Sequence, residues 1–504
     1  MSEEYERTPI SLSTKAKDLL HSLFGAQTIA PPASLLATLR PYQQRGFEWL
    51  YKNSRLGLGS IIADDMGLGK TLQVIATLLQ LKSDGALTEH RAIVIVPTTL
   101  LSNWEREIQK FAPSLTVVTY YGSQRKWNEQ KHDYDVLLST YGVVRSDIKK
   151  LSKHRWTAVI LDEAQQIKNA AAAQTKATKK LQAPVRIAMS GTPVEHRLSE
   201  YWRLFDFTNK GYLGSLQLFK KEIAIPIETT RDQHQLRWFR RITAPFILRR
   251  LKTDKKIIND LPEKVETDQF VRLSDAQAAL YQSVVDSHLE KVEQSEGIER
   301  RGLILKLITA LKQICNHPRQ FLKKGSLKPE DSGKVQFLYS LLHQLQERGE
   351  KALIFTQYRE MGELLGQLIE AEFGLQAPFL HGGVRRKERD RMVETFQQDR
   401  HTPLFLLSLK AGGTGLNLTA ASQVIHFDLW WNPAVEAQAT DRAFRIGQTK
   451  NVFVHRFITQ NTFEEKINQL LQGKKELADL AVAQGEKWIG ELSNHELRDL
   501  VQLD

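Results

Sequence analysis

The feature that most constrains the fold is an alternation repeated along the chain. Short, continuous runs of aliphatic and β-branched residues are each followed by turn residues and then by a helical pattern. In the first half these runs are SIIA (60–63), AIVIV (92–96), DVLLST (135–140), TAVIL (157–161) and VRIAMS (185–190). In the second half they are KALIF (351–355), PLFLLS (403–408), QVIHF (423–427) and NVFVHRF (451–457). A strand that is apolar on both sides has no solvent face, so it belongs in a parallel sheet covered by helices. Two such series predict an α/β chain with two parallel-sheet lobes. Residues 208–335, between them, read as helical, charged and free of strands, and are too long for a connecting loop. They are expected to form helical insertions on the lobes. The expected division is an N-terminal extension (1–37), a first lobe with a basic insertion (38–260), and a second lobe with a helical insertion and a C-terminal helical segment (261–504). Within the extension, STKAKDLLHSLFG (13–25) has an amphipathic helical pattern.

Charge and cysteine usage narrow the class. The chain has 504 residues and a net charge of +12. The excess is uneven, with +14 on residues 1–260 and −2 on residues 261–504. Two stretches, 141–190 and 231–256, contribute +7 each. This fits either a polyanionic partner or an ordinary solvated surface. No apolar run approaches the roughly 18 residues that span a bilayer. The start, MSEEYERTPI, is too acidic and polar for a signal peptide. Cys315 is the only cysteine, which excludes an intramolecular disulfide and a zinc ribbon. A reducing compartment is expected, cytoplasmic or nuclear.

ADDMGLGKT (63–71) follows the strand SIIA and opens a helix. Glycines there let backbone N–H groups approach phosphate oxygens, and the helix N-terminus adds partial positive charge. Lys70 would reach the β- and γ-phosphates, and the Thr71 hydroxyl would ligate Mg²⁺. Asp64 stands where such loops usually carry glycine, so GLGKT alone also fits an ordinary strand-to-helix turn. TAVILDEAQ (157–165) ends a buried strand in two acids. Asp162 would hold Mg²⁺, and Glu163 would orient and deprotonate the attacking water. In QATDRAFRIGQ (438–448), Arg442 and Arg445 are three apart and predict one helical face. They could stabilise charge on a transferring phosphoryl group, or pair with Asp441 on a surface helix.

In this order the motifs resemble the SWI/SNF-related helicase-like ATPases of superfamily two, particularly their bacterial members. The likeness runs from LRPYQQRGFEWL (39–50) to the end. It includes ADDMGLGKT, VPTTLLSNWEREIQKF (96–111), LLSTYG (137–142), LDEAQ, MSGTPVEHRLSEYWRLFDF (189–207) and PFILRRLK (245–252). It continues through LKQICNHP (311–318), LIFTQYREM (353–361), HGGVRRKERDRMVETF (381–396) and the segment 407–450. Asp at position 64 is a trait of this family. The resemblance implies two RecA-like lobes with ATP and Mg²⁺ in the cleft between them. It implies that Gln43 reads the adenine edge with Tyr42 or Arg40 beside it, and that Gly67, Gly69, Lys70 and Thr71 hold the phosphates. By the same resemblance Arg442 and Arg445 are arginine fingers, and Gly415 and Gln438 line the cleft. Gln165, Ser190, Gly191 and Thr192 would couple hydrolysis to lobe movement.

The resemblance also implies contacts to the DNA backbone. In the first lobe these fall at Pro97, Thr98, Thr99, Ser139, Thr140 and Tyr141. In the second they fall at Thr356, Gln357, His381, Gly382, Gly383, Lys410, Gly412 and Gly413. Such contacts carry no base readout, so little sequence preference is expected. Trp430 and Trp431 could stack on bases or pack within the second lobe. Arg240, Arg241, Arg249 and Arg250 could grip duplex DNA or join the lobes. Cys315 is expected to be buried filler, and His381 lacks a second ligand for a metal site.

The expected activity is translocation on double-stranded DNA by a monomeric DNA-dependent ATPase. Its cargo would be a DNA-bound protein, and no membrane would be involved. A bacterial chain would associate with the nucleoid. A strand-separating helicase, or a binding module without hydrolysis, are the alternatives. At low salt, residues 1–260 are expected to bind DNA more tightly than residues 261–504; titrating each half with labelled duplex tests this.

Overall fold

The structure is a computed structural model. It describes residues 4–5, 8–9, 28–127, 133–167, 173–191, 198–229, 232–252, 254, 262–325, 327–409, 416–430, 432–473, 490 and 492–503. The chain divides into two compact units, Met1–Asn259 and Asp260–Asp504.

In unit 1, β1 (Glu4–Tyr5) and β2 (Thr8–Pro9) form a short antiparallel pair. The main sheet contains β3 (Ser60–Ile62), β4 (Arg91–Val96), β5 (Val117–Tyr120), β6 (Val136–Thr140), β7 (Trp156–Leu161), β8 (Val185–Met189) and β9 (Ile247–Leu248). Its order is β5-β6-β4-β7-β8-β3-β9, and every pairing is parallel. The continuous apolar runs are explained by the two faces. Ile93, Ile95 and Leu137 pack on one side, while Val94, Val96 and Leu138 pack on the other. All strands run the same way, so their carboxyl ends lie along one edge, where open α/β sheets bind ligands.

Unit 2 holds β10 (Lys264–Val271), β11 (Ala352–Thr356), β12 (Phe379–Leu380), β13 (Leu404–Ser408), β14 (Gln423–His426) and β15 (Val452–Thr459). The order is β10-β15-β14-β11-β13-β12, again parallel throughout. Ile354, Leu406 and Ile425 face one core, and Phe355, Phe405 and Val424 the other. A third core is mostly helical. In it Tyr281, Ile308, Ile314 and Cys315 pack with Phe463, Leu497 and Leu500.

The expected two-lobed α/β class is thus observed. The segment 208–335 departs from expectation, because it contributes β9 and β10 besides helices. Both are edge strands of their sheets, and the first residues of β10 are exposed. An edge strand with a solvated side tolerates the charges of KVETDQFV, so no continuous apolar run marks it. Cys315 is fully buried, as expected. The segment 13–25 lies outside the described residues. Among the described residues no helix is long and apolar enough to cross a membrane.

Candidate nucleotide site and strand-end motifs

The loop after β3 turns into the helix Lys70–Ser83. Gly67 and Gly69 have φ of 82° and 74°, a region that side chains disfavour. A Cβ on Gly69 would also lie 2.3 Å from Gln43 Nε2. The Lys70 ammonium folds back and donates to the main-chain carbonyls of Asp64 (2.6 Å) and Asp65 (3.2 Å). Tyr42 and Gln43 brace the loop from the helix Pro41–Arg55. The Tyr42 hydroxyl (3.1 Å) and Gln43 Nε2 (3.2 Å) both donate to the Leu68 carbonyl. Gln43 Oε1 accepts the Arg40 N–H at 3.0 Å. An amide offers two N–H groups and two lone pairs, so these contacts use half of Gln43's capacity.

Asp64 proves to be a structural clamp. It is fully buried, and its carboxylate pairs with Arg250, Nε lying 3.0 Å from Oδ1 and Nη2 contacting Oδ2. Arg250 also donates to Gln73 Oε1 (2.7 Å) and to the Tyr42 carbonyl, with its guanidinium over the Tyr42 ring. The adjacent main chain continues the seam, because Asp65 N–H donates to the Arg250 carbonyl at 3.0 Å. Arg250 was expected to sit with Arg240, Arg241 and Arg249 as a surface gripping duplex DNA or joining the lobes. Instead it is buried inside unit 1, since a carboxylate this enclosed needs a charged partner.

The acidic pair follows β7. The Asp162 N–H donates to the Ile95 carbonyl at 2.9 Å, which registers it against β4. Asp162 Oδ1 accepts the Glu163 N–H (2.8 Å), and Oδ2 accepts the Trp104 indole N–H (2.8 Å). Burial holds the Asp162 carboxyl well above the usual range, and the Glu163 charge beside it pushes the same way. The Lys70 charge acts in opposition. Glu163 adopts φ of 49°, a strained conformation for a residue with a side chain. Its Oε2 accepts Gln165 Nε2 at 2.5 Å, and Gln165 Oε1 accepts the Ser190 hydroxyl at 3.3 Å. A relay therefore runs from the acid after β7 to the loop after β8. A Cβ on Gly191 would fall 2.6 Å from Met66 Cγ, so glycine lets this loop approach the phosphate loop. Thr192 lies outside the described residues.

Among the described residues, no three His, Cys, Asp or Glu side chains form a metal cage. The buried Thr71 hydroxyl and Asp162 carboxylate are hard oxygen donors, the kind Mg²⁺ accepts when phosphate and water complete its shell. Two buried acids side by side also leave negative charge that a divalent cation would offset. These residues fit Mg²⁺.

The strand-end motifs differ in what they present. Thr98 is exposed and Thr99 half-buried on the turn after β4. Ser139 and Thr140, the last residues of β6, and Tyr141, which follows them, are buried. The Ser139 hydroxyl donates to the Tyr120 carbonyl (2.9 Å), and Thr140 Oγ1 accepts the Val143 N–H (3.3 Å) as a helix cap. The Tyr141 hydroxyl donates to the Asp162 carbonyl at 2.7 Å. These three side chains, expected at the DNA backbone, are committed inward because the strand end is covered on both faces.

Unit 2 repeats the pattern. Thr356 is buried and donates to Asp428 Oδ2 (2.5 Å), while the Gln357 N–H donates to Asp428 Oδ1 (2.6 Å). Lys312 and Asn316, on the insertion helix Gly297–Asn316, reach Gln357 Oε1 (3.0 Å) and Asp428 Oδ2 (3.1 Å). The buried LKQICNHP helix thus fixes the loop after β11. His381 accepts the Gly383 N–H at 3.1 Å in an exposed turn. Trp430 packs against the core containing Phe355, while Trp431 lies outside the described residues. Lys410, Gly412, Gly413 and Gly415 also lie outside them.

Gln438 sits half-buried on the helix Pro433–Thr440. Arg442 and Arg445 were expected on one helical face, but the helix ends at Thr440 and both lie in the turns beyond. Arg442 is buried, and Arg445 Nη1 donates to the Leu416 carbonyl at 3.2 Å. The organiser of these turns is Gln448, which sequence reasoning passed over. Its Nε2 lies within hydrogen-bonding distance of the carbonyls of Thr419 (3.1 Å), Ala421 (2.8 Å) and Ala443 (3.1 Å). Its Oε1 accepts the N–H groups of Thr449 and Lys450, each at 2.9 Å. Gln448→Ala is expected to destabilise unit 2 by about 1–3 kcal/mol, because buried carbonyls lose their donor; urea unfolding measures it.

A glycine-rich loop at the end of β3 and an acidic pair at the end of β7, with β8 between them, define a P-loop nucleotide-binding unit. A second parallel-sheet unit follows it in the chain. Residues 42–320 match the SNF2-related domain, and residues 333–447 match the helicase conserved C-terminal domain. The chain belongs to the SNF2-related family of helicase-type ATPases. It is 45% identical to the Bacillus subtilis protein YwqA, provisionally named an ATP-dependent helicase/translocase, over 98% of this chain and 54% of that protein. It is 37% identical to an uncharacterized ATP-dependent helicase of Mycoplasma pneumoniae, over 93% of this chain and 44% of that protein. The chain therefore spans about half the length of these relatives. It is also 42% identical to a Sulfolobus solfataricus SWI2/SNF2 ATPase core solved in complex with dsDNA, covering 95% of this chain and 100% of that one, with a TM-score of 0.48.

Proposed function

We propose that the chain is a DNA-dependent ATPase that uses hydrolysis to move along double-stranded DNA and remodel bound protein, without obligatory strand separation. The observation that carries this is Lys70 in the loop after β3 together with the hydrogen-bonded set of Asp162, Glu163, Gln165 and Ser190 at the ends of β7 and β8. The γ-phosphate of ATP replaces the carbonyls of Asp64 and Asp65 as partner of Lys70. Mg²⁺ held by Thr71 and Asp162 would offset charge on the β- and γ-phosphates. Glu163 accepts the proton of the attacking water, and Gln165 passes any movement of Glu163 to Ser190. Arg442 and Arg445 stabilise the transferring phosphoryl charge, a role consistent with guanidinium groups held by the turns around Gln448.

Thr98 and Thr99, with the exposed turn at His381, Gly382 and Gly383, touch the DNA backbone. Ser139, Thr140, Tyr141 and Thr356 act by shaping the strand ends whose main-chain groups do so. Binding by backbone contacts falls steeply with salt. Raising salt from 50 to 200 mM is expected to weaken duplex binding by at least roughly tenfold, equally for unrelated sequences; fluorescence anisotropy at several salt concentrations measures this.

The deciding experiment is ATP hydrolysis with duplex DNA, single-stranded DNA or RNA, alongside triplex displacement and strand separation. Duplex should stimulate most, and triplex displacement should occur without strand separation. Stimulation by RNA alone would remove this reading. Strand separation at the rate of triplex displacement would establish the helicase alternative.

A further inference from the structure

Two strand-end motifs send one aromatic hydrogen-bond donor each to the same residue. Trp104 is fully buried in the helix Leu101–Phe111, which continues directly from the turn carrying Thr98 and Thr99. Its indole N–H holds Asp162 Oδ2 at 2.8 Å. Tyr141 opens the helix that follows Ser139 and Thr140, and its hydroxyl holds the Asp162 carbonyl at 2.7 Å. The strand order makes this convergence possible. β4 lies between β6 and β7, so the loops after β4 and β6 both lie on one side of the residue that follows β7. Neither donor is required for packing alone, since a phenyl ring would fill much of either volume. A buried indole N–H or phenol O–H needs a partner, and here each finds it on Asp162.

We propose that Trp104 and Tyr141 are positioning residues through which DNA at the strand ends of β4 and β6 sets the Asp162 carboxylate for the Mg²⁺–nucleotide complex. The inference rests on the DNA-dependent ATPase reading above. The Asp162 carboxylate turns about its side-chain bonds, and its Oδ1 is already tied to the Glu163 N–H. The position of Oδ2 is therefore set by Trp104, and the height of the main chain by Tyr141. A phosphate backbone seated on Thr98 and Thr99 shifts the helix that carries Trp104. The same backbone seated beyond β6 fixes the first turn that carries Tyr141. Both displacements reach Asp162 without passing through the phosphate loop. Coupling of this kind is reciprocal, so Mg²⁺ and nucleotide must strengthen DNA binding by the factor by which DNA strengthens theirs.

The test uses the full chain, a fluorescent ADP analogue and a short duplex. The Mg²⁺ concentration at half-maximal ADP binding is measured with and without duplex, and duplex affinity is measured with and without Mg²⁺–ADP. In the wild type, duplex should lower the Mg²⁺ midpoint several-fold, and Mg²⁺–ADP should tighten duplex binding equally. Trp104→Phe should raise the midpoint by about tenfold, roughly the loss of one charge-assisted hydrogen bond. It should also lessen the duplex-linked shift in both directions, to the part carried through Tyr141, with duplex affinity without nucleotide within twofold of wild type. Tyr141→Phe, which keeps the ring and tests the second route, should lessen the linked shift and raise the midpoint by less than Trp104→Phe does. Wild-type linkage in both variants overturns the inference. A wild type whose hydrolysis is stimulated by duplex but whose Mg²⁺ midpoint ignores it also overturns the inference, and leaves the ATPase reading standing. A wild type that duplex does not stimulate overturns that reading itself.

Discussion

Glu163→Gln is expected to lower DNA-stimulated turnover by roughly 10²–10⁴-fold, the usual contribution of a general base. Nucleotide binding should persist. Glutamine keeps an acceptor for Gln165 Nε2 and nearly the same shape, so the relay to Ser190 stays in place. It cannot accept a proton from water. Removing the Glu163 charge also relieves the neighbour that raises the Asp162 carboxyl. Binding of Mg²⁺–ADP should therefore be unchanged or tighter in the same variant. Lys70→Ala should show the opposite division, losing nucleotide affinity first, because the helix end then lacks the cation that reaches the loop carbonyls of Asp64 and Asp65. Single-turnover hydrolysis beside ADP-analogue titration separates the two. Glu163→Gln turnover within tenfold of wild type would remove Glu163 from its assigned role.

Arg250→Met should destabilise unit 1 by about 3–5 kcal/mol, the usual loss when one partner of a buried ion pair is removed. The variant leaves Asp64 fully enclosed without its cation and takes donors from Gln73 and the Tyr42 carbonyl. The double variant Asp64→Leu/Arg250→Met should recover most of that loss, because an apolar pair needs no compensation. Asp64→Gly, which restores the commoner phosphate-loop residue, strands Arg250 and should destabilise comparably. Urea unfolding of the wild type, Asp64→Leu, Arg250→Met and the double variant gives the coupling energy directly. An Arg250→Met loss below about 1 kcal/mol would show that the enclosed Asp64 does not need its cation.

The central strands were legible because each is apolar on both sides, a pattern visible within five or six residues. All nine expected runs coincide with strands. In the two main sheets the strands that escaped notice are β5, β9, β10 and β12, all at or near sheet edges, where one side meets solvent or the strand is only two residues long; the two-residue strands β1 and β2 were not expected either. The phosphate loop and the acidic pair were equally plain, since glycines at positive φ and acids at a strand end leave a local signature. The arginine turns misled because a spacing of three suggests a helix, while Gln448 instead ties the chain into turns through distant carbonyls.

By itself, then, the sequence determined which segments become the central strands, where a phosphate could sit, and which acids stand near it. These depend on residues close together in the chain. Only the tertiary structure decided the partners. Asp64 pairs with Arg250 across 186 residues, Trp104 and Tyr141 meet at Asp162, and Lys312 and Asn316 hold the loop after β11. The reason is physical. A hydrogen bond or ion pair is satisfied by whichever group strand order brings within about 3 Å, and local periodicity carries no record of that order.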